Sequence, residues 1–103
     1  MAGFVIWSIP ALKELSGIRK YLTKHASPET ATSVTRRITD AIERLGDFPD
    51  SGRPFPGSKR SGLKELLVSS YRVVYHRSFD ATQILHIVHT RRNLRGKQFR
   101  DLK

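Results

Sequence analysis

Residues 63–89, LKELLVSSYRVVYHRSFDATQILHIVH, decide the fold. Leu63 to Val68, Tyr71 to Arg77 and Thr82 to His89 are each of strand length and rich in β-branched or aromatic residues. Ser69-Ser70 and Ser78-Phe79-Asp80-Ala81 break them apart. Breaks this short join antiparallel neighbours, so the stretch predicts a three-stranded antiparallel meander.

Upstream the pattern changes. Asp47 to Gly57, DFPDSGRPFPG, holds three prolines and two glycines, which stop a helix and make turns. Phe48 and Phe55 are expected to pin this loop to the core. Before it, Ala31, Val34, Ile38, Ala41 or Ile42, and Leu45 recur at helical spacing behind Ser27-Pro28-Glu29, which reads as cap, first-turn proline and an early acid. Leu12, Leu15, Ile18 and Leu22 form a second apolar stripe behind Ser8 and Pro10, ending near His25 at the helix C-terminus. So short a connection predicts an antiparallel helical hairpin. Phe4-Val5-Ile6-Trp7 reads as a buried first strand. The fold class is therefore α+β: an N-terminal strand, then an antiparallel helical hairpin packed on an antiparallel sheet, with a basic C-terminal tail. Residues 1–103 are expected to form a single domain.

Composition narrows the function. The chain lacks cysteine, which removes a disulfide framework and thiolate chemistry and fits a reducing compartment. No apolar run approaches the roughly 20 residues that span a bilayer. A cytoplasmic protein without membrane contact is expected. The net charge is +10, unevenly placed: seven Lys/Arg face six Asp/Glu over residues 1–50, and twelve face three over residues 51–103. A polyanionic or acidic partner is expected at the second half.

Seven short pieces then appear in order: Trp7-Ser8-x-x-Ala11, Ile18-x-x-Tyr21-Leu22, Ser27-Pro28-x-x-Ala31, Leu45-x-x-x-Pro49-x-x-Gly52-Arg53, Leu63-Lys64-Glu65-Leu66, Tyr71-Arg72-Val73-Val74-Tyr75 and Ile84-Leu85-x-Ile87-Val88-His89-x-Arg91-Arg92. In order and spacing they make the chain resemble the ParE branch of the RelE/ParE toxin superfamily over nearly its whole length. The resemblance implies a bacterial type II toxin–antitoxin system. The cognate ParD-like antitoxin would wrap the toxin with an acidic C-terminal segment and form a toxin–antitoxin hetero-oligomer. ParE-like members poison DNA gyrase, whereas RelE-like members are ribosome-dependent mRNA endoribonucleases. No cofactor and no metal are expected.

Each target implies its own residues. RNA cleavage without a metal needs a base for the 2′-hydroxyl, cations for the phosphorane and an acid for the leaving oxygen. Arg72 matches a strand arginine of RelE-like enzymes, and Lys64, Arg91 and His89 complete the nuclease set. The late tyrosine of those enzymes is missing, since no tyrosine follows Tyr75. That departure favours the gyrase reading, in which no residue is catalytic. Arg91, Arg92, Arg95, Lys97 and Arg100 would then contact the target, gyrase itself or the DNA it holds. Antitoxin contacts are expected at Leu15, Ile18 and Leu22 and at the cations Arg53, Arg72 and Arg77. An extended antitoxin segment could also add to an open sheet edge. For Arg72 two arrangements stand open: facing solvent as a binding group, or paired with an acid such as Glu65. His76 and His86 fall on neighbouring strands.

Overall fold

Two serines start the two helices. In the computed structural model, which describes residues 3–56 and 62–91, α1 spans Ile9–His25 and α2 spans Pro28–Asp47. The Ser8 hydroxyl accepts from the Ala11 N–H at 3.1 Å and donates to the Leu85 carbonyl at 2.9 Å. One side chain thus caps α1 and ties it to the sheet. Ser27 accepts from the Thr30 N–H at 3.0 Å and caps α2. Only Ala26 and Ser27 separate the helices, so the chain folds back antiparallel. α2 buries Ala31, Thr35, Ile38, Ala41, Ile42 and Leu45 on one stripe. α1 buries only Ala11 fully, with Glu14, Leu15, Ile18 and Leu22 half-buried along the same face.

The strands are β1 (Phe4–Trp7), β2 (Arg53–Pro54), β3 (Leu63–Val68), β4 (Tyr71–Ser78) and β5 (Ala81–His89), in sheet order β1-β5-β4-β3-β2. β3, β4 and β5 form the expected meander. β1 adds a parallel edge to it, from Phe4 opposite Ala81 to Trp7 opposite Ile84, so the sheet is mixed rather than wholly antiparallel. Val5 and Trp7 turn to the helices, while Phe4 and Ile6 stay exposed on the other face.

The main core lies between helices and sheet: Ala11, Ile38, Ile42 and Leu45 meet Tyr71, Val73, Tyr75, Ile84 and Ile87. A smaller cluster of Phe55, Leu63, Val74 and Val88, with Leu85 packed against it, fills the outer face. Val74 pairs with His86 and Tyr75 with Ile84, so Leu85 is the extra residue of a bulge. Phe55 pins the loop as expected, but Phe48 does not: it is 63% exposed. The loop is held instead through Tyr75, whose hydroxyl donates to the Pro49 carbonyl at 2.8 Å and accepts from the Gly52 N–H at 2.9 Å. A Cβ on Gly52 would stand 2.5 Å from that hydroxyl and collide with the Glu65 carbonyl, which is why glycine occupies this position. Burial raises the Tyr75 phenol pKa, the Gly52 hydrogen bond lowers it, and Asp50 raises it further, with a net upward shift. Among the described residues no helix is long and apolar enough to cross a membrane.

Candidate functional site

β1 is four residues long and β5 is nine. The mismatch builds a site. β1 stops opposite Ile84, and the rest of β5 runs on beside α1. Glu14 reaches across from α1 to this edge. Its Oε1 accepts from the Ile87 N–H at 3.0 Å, and its Oε2 lies 3.1 Å from His86 Nδ1. Next to this contact a groove of about 720 Å³ opens between α1 and β5. Ile18, Leu22, Val34 and Ile87 give it an apolar floor, and Tyr21, His89 and Arg91 give it a polar mouth. Tyr71 and His89 meet edge to face at 5.4 Å. The His89 Nδ1 accepts from the Arg91 N–H at 3.0 Å, which leaves Nε2 to carry the proton in the neutral ring. Burial, and secondarily Tyr21, push the Tyr71 phenol above its ordinary pKa, so it enters the site as a neutral hydrogen-bonding group.

A second constellation lies on the outer face. Glu65 is 1% exposed, yet it is a carboxylate. Arg53 Nε donates to its Oε2 at 2.7 Å, and Arg72 Nη1 stands 3.3 Å from its Oε1. Arg72 Nη2 also donates to the Thr90 carbonyl at 3.3 Å. Of the two arrangements open to Arg72, the ion pair is the one adopted. A buried carboxylate between two guanidiniums satisfies the charge that burial would otherwise penalise. Arg53 keeps a 62% exposed side chain and can meet a further anion, whereas Arg72 is 20% exposed and already committed.

The sequence-predicted residues separate into groups. Ile18, Leu22, His89 and Arg91 gather at the groove, while Leu15 packs against the main core. Arg53 and Arg72 meet at Glu65. Arg77 lies at the other end of β4, and Lys64 stands 3.9 Å from Asp50. Arg92, Arg95, Lys97 and Arg100 fall outside the described residues. Arg72 pairs across the sheet with Val88 and His89 with Tyr71, so Arg72 and His89 point to opposite faces. His76 stands opposite Gln83, whereas His86 turns to Glu14. Glu14 is the site residue that sequence reasoning missed. Its signal was available: a carboxylate between Ala11 and Ile18 on the apolar stripe of α1.

Comparison with known proteins agrees with this fold. Residues 5–94 match the family described as ParE toxin of type II toxin-antitoxin system, parDE. The chain is 33% identical over 85 residues to a putative toxin, Y4kP, of Sinorhizobium fredii, covering 81% of this chain and 83% of the relative. It is 32% identical over 87 residues to Toxin RelE2 of Caulobacter vibrioides, covering 84% and 91%. Among solved structures, a chain of the chromosomal ParDE TA system from P. aeruginosa superposes with a TM-score of 0.73 at 20% identity, covering 85% of this chain and 96% of that one. A chain of the toxin-antitoxin complex RelBE2 from Mycobacterium tuberculosis gives 0.59 at 19% identity, covering 86% and 99%. These two likenesses concern the fold.

Proposed function

Because this chain belongs to the ParE toxin family of type II toxin–antitoxin systems, we propose that it arrests growth by inhibiting DNA gyrase and is held inactive by a ParD-like antitoxin. The observation that carries the choice of target is the dispersal of the nuclease set. Arg72 is spent on Glu65 and the Thr90 carbonyl, while His89 opens onto the opposite face. Lys64 lies near Asp50. Phosphorane stabilisation and proton transfer need these groups around one phosphate; among the described residues His89 and Arg91 share the groove, but Arg72 and Lys64 do not join them there. A binding inhibitor needs only surfaces.

The groove supports the antitoxin half of the proposal. An extended segment entering it would pair with β5 past the end of β1, place apolar side chains against Ile18 and Leu22, and set acidic ones near Arg91. It would have to displace Glu14 from the Ile87 N–H. The cationic run from Arg91 through Arg92, Arg95, Lys97 and Arg100 supports contact with gyrase or with the DNA it holds, with an affinity that falls as salt rises.

The test is controlled expression with two readouts, gyrase supercoiling and cleavage on one side and transcript integrity on the other. Lost supercoiling with accumulated breaks and intact transcripts is expected. Cut transcripts with normal supercoiling would overturn the gyrase reading in favour of a ribosome-dependent endoribonuclease.

A further inference from the structure

Phe79 occupies a place where nothing in the fold asks for phenylalanine. It is 95% exposed, so it returns no burial. Its φ is 54°, at the first position of the two-residue turn between β4 and β5, where glycine or asparagine is preferred. Both its side chain and its backbone argue against it on grounds of stability.

Its neighbours share that character. Beside the turn is a cleft of about 680 Å³ lined by Phe4 and Phe48, which are 68% and 63% exposed. Asp47, Asp50 and Asp80 line it too, against one guanidinium, that of Arg77, whose Nε donates to the Phe79 carbonyl at 3.4 Å. Asp47 ends α2, where the helix dipole disfavours a carboxylate. In a chain of net charge +10, acids outnumber bases among the described residues that line this cleft, with Lys64 3.9 Å from Asp50 at its margin. That sign repels phosphate backbones, anionic lipid and the acidic segment of an antitoxin, and it attracts Lys and Arg.

We propose that Phe79, on the turn beside the cleft lined by Phe4, Phe48, Asp47 and Asp80, forms a second docking surface. It takes a protein whose apolar recess is ringed by Lys or Arg, and it is separate from the groove of α1 and β5. A fully presented aromatic anchor with a charged rim is the pattern that concentrates binding energy in few residues. The proposal rests on the gyrase reading only in taking that protein to be the toxin's target.

The experiment compares wild type with Phe79→Asn and Phe79→Trp. Four measurements are made: thermal midpoint, antitoxin affinity, growth arrest on induction, and inhibition of purified gyrase. Phe79→Asn should fold with an unchanged or higher midpoint and bind antitoxin as wild type does. It should lose growth arrest and weaken gyrase inhibition by about tenfold to a hundredfold. Phe79→Trp should retain both. A folded Phe79→Asn protein that arrests growth and inhibits gyrase like wild type overturns the docking surface and leaves the gyrase reading standing. If wild type does not touch gyrase but Phe79→Asn still loses growth arrest, the surface stands and gyrase falls. Wild-type binding to vesicles of phosphatidylcholine and phosphatidylglycerol that Phe79→Asn loses would replace the protein partner by a membrane and overturn the proposal.

Discussion

β4 is entered and left through two-residue turns that share a left-handed first residue but not its side chain. Ser69 and Phe79 each open their turn with φ at 54°. A left-handed conformation costs a non-glycine residue on the order of 1–2 kcal/mol at either site. At the Ser69 end the cost falls on a small polar residue, and the turn is tied to its surroundings: the Ser70 carbonyl accepts from the Thr90 N–H at 2.8 Å beside the groove. At the Phe79 end, where the Asp80 carbonyl likewise accepts from the Phe4 N–H at 2.9 Å, the same cost is borne by a large apolar side chain standing in water. Equal geometry with unequal chemistry teaches that the turn itself does not choose the residue. What differs is what each end faces: an apolar groove with Arg91 at its mouth, or an aromatic cleft lined with carboxylates.

The comparison can be pressed at four points. The largest effect is expected at Glu65, which lies between the ends and binds Arg53 and Arg72 together. Glu65→Gln leaves two guanidiniums without their carboxylate and should cost about 3 kcal/mol in urea unfolding. Since Arg72 also holds the Thr90 carbonyl, amide exchange around Thr90 should quicken. A change confined to the β2 side would separate the two ends further than argued. Second, Ile18→Asp places a charge on the groove floor and should weaken antitoxin binding by about a hundredfold. Gyrase inhibition should hold; loss of both would mean the two surfaces are one.

Third, Tyr75→Phe removes the hydroxyl that joins Pro49 to Gly52, for a loss of about 1 kcal/mol. Its pH dependence has a definite sign. The folded phenol pKa is raised above 10.0, so the folded state holds its proton more tightly than the unfolded chain does. Stability is therefore unaffected by this group below pH 10.0 and falls as pH rises above it. The variant should lose that part of the alkaline decline, read by denaturation at successive pH values. The smallest effect belongs to the turns themselves. Ser69→Gly and Phe79→Gly should each gain about 0.5 kcal/mol, because each relieves the same backbone conformation and neither opens a cavity. A marked loss in Phe79→Gly alone would reveal a folded-state contact for Phe79 and break the comparison.

Much of the architecture was legible from residues near one another in the chain. Ser8 and Ser27 announce the helices because a cap acts on N–H groups three residues away. Strand-length runs rich in β-branched or aromatic residues, and the short breaks between them, announce the meander for the same local reason. The parallel pairing of β1 with β5 was not legible, since Phe4 and Ala81 lie far apart in the chain, on either side of the helical hairpin and the other strands. The groove depends on that pairing, so its outline was hidden even though Ile18 and Leu22 were named. Phe48 was misplaced because an apolar residue type reports a preference for burial, not whether the core has room. Arg72 could be narrowed to two arrangements from its strand position, solvent-facing or paired with an acid such as Glu65. The choice of Glu65 followed from register, which pairs Glu65 with Val74 and Leu67 with Arg72 and so sets the acid diagonally beside the arginine.

Glu14 carries a further consequence, for the toxin's life without its antitoxin. The part of β5 beyond β1 is an edge that could template a second molecule and lead to aggregation. A carboxylate bound to the Ile87 N–H works as a removable stopper. A copy of the same chain would have to dislodge it from the Ile87 N–H and from His86. A cognate segment carrying its own favourable contacts along the groove can meet that cost. Selectivity between self and partner would then reside in one side chain, and Glu14→Gln should show concentration-dependent self-association by ultracentrifugation where wild type stays monomeric.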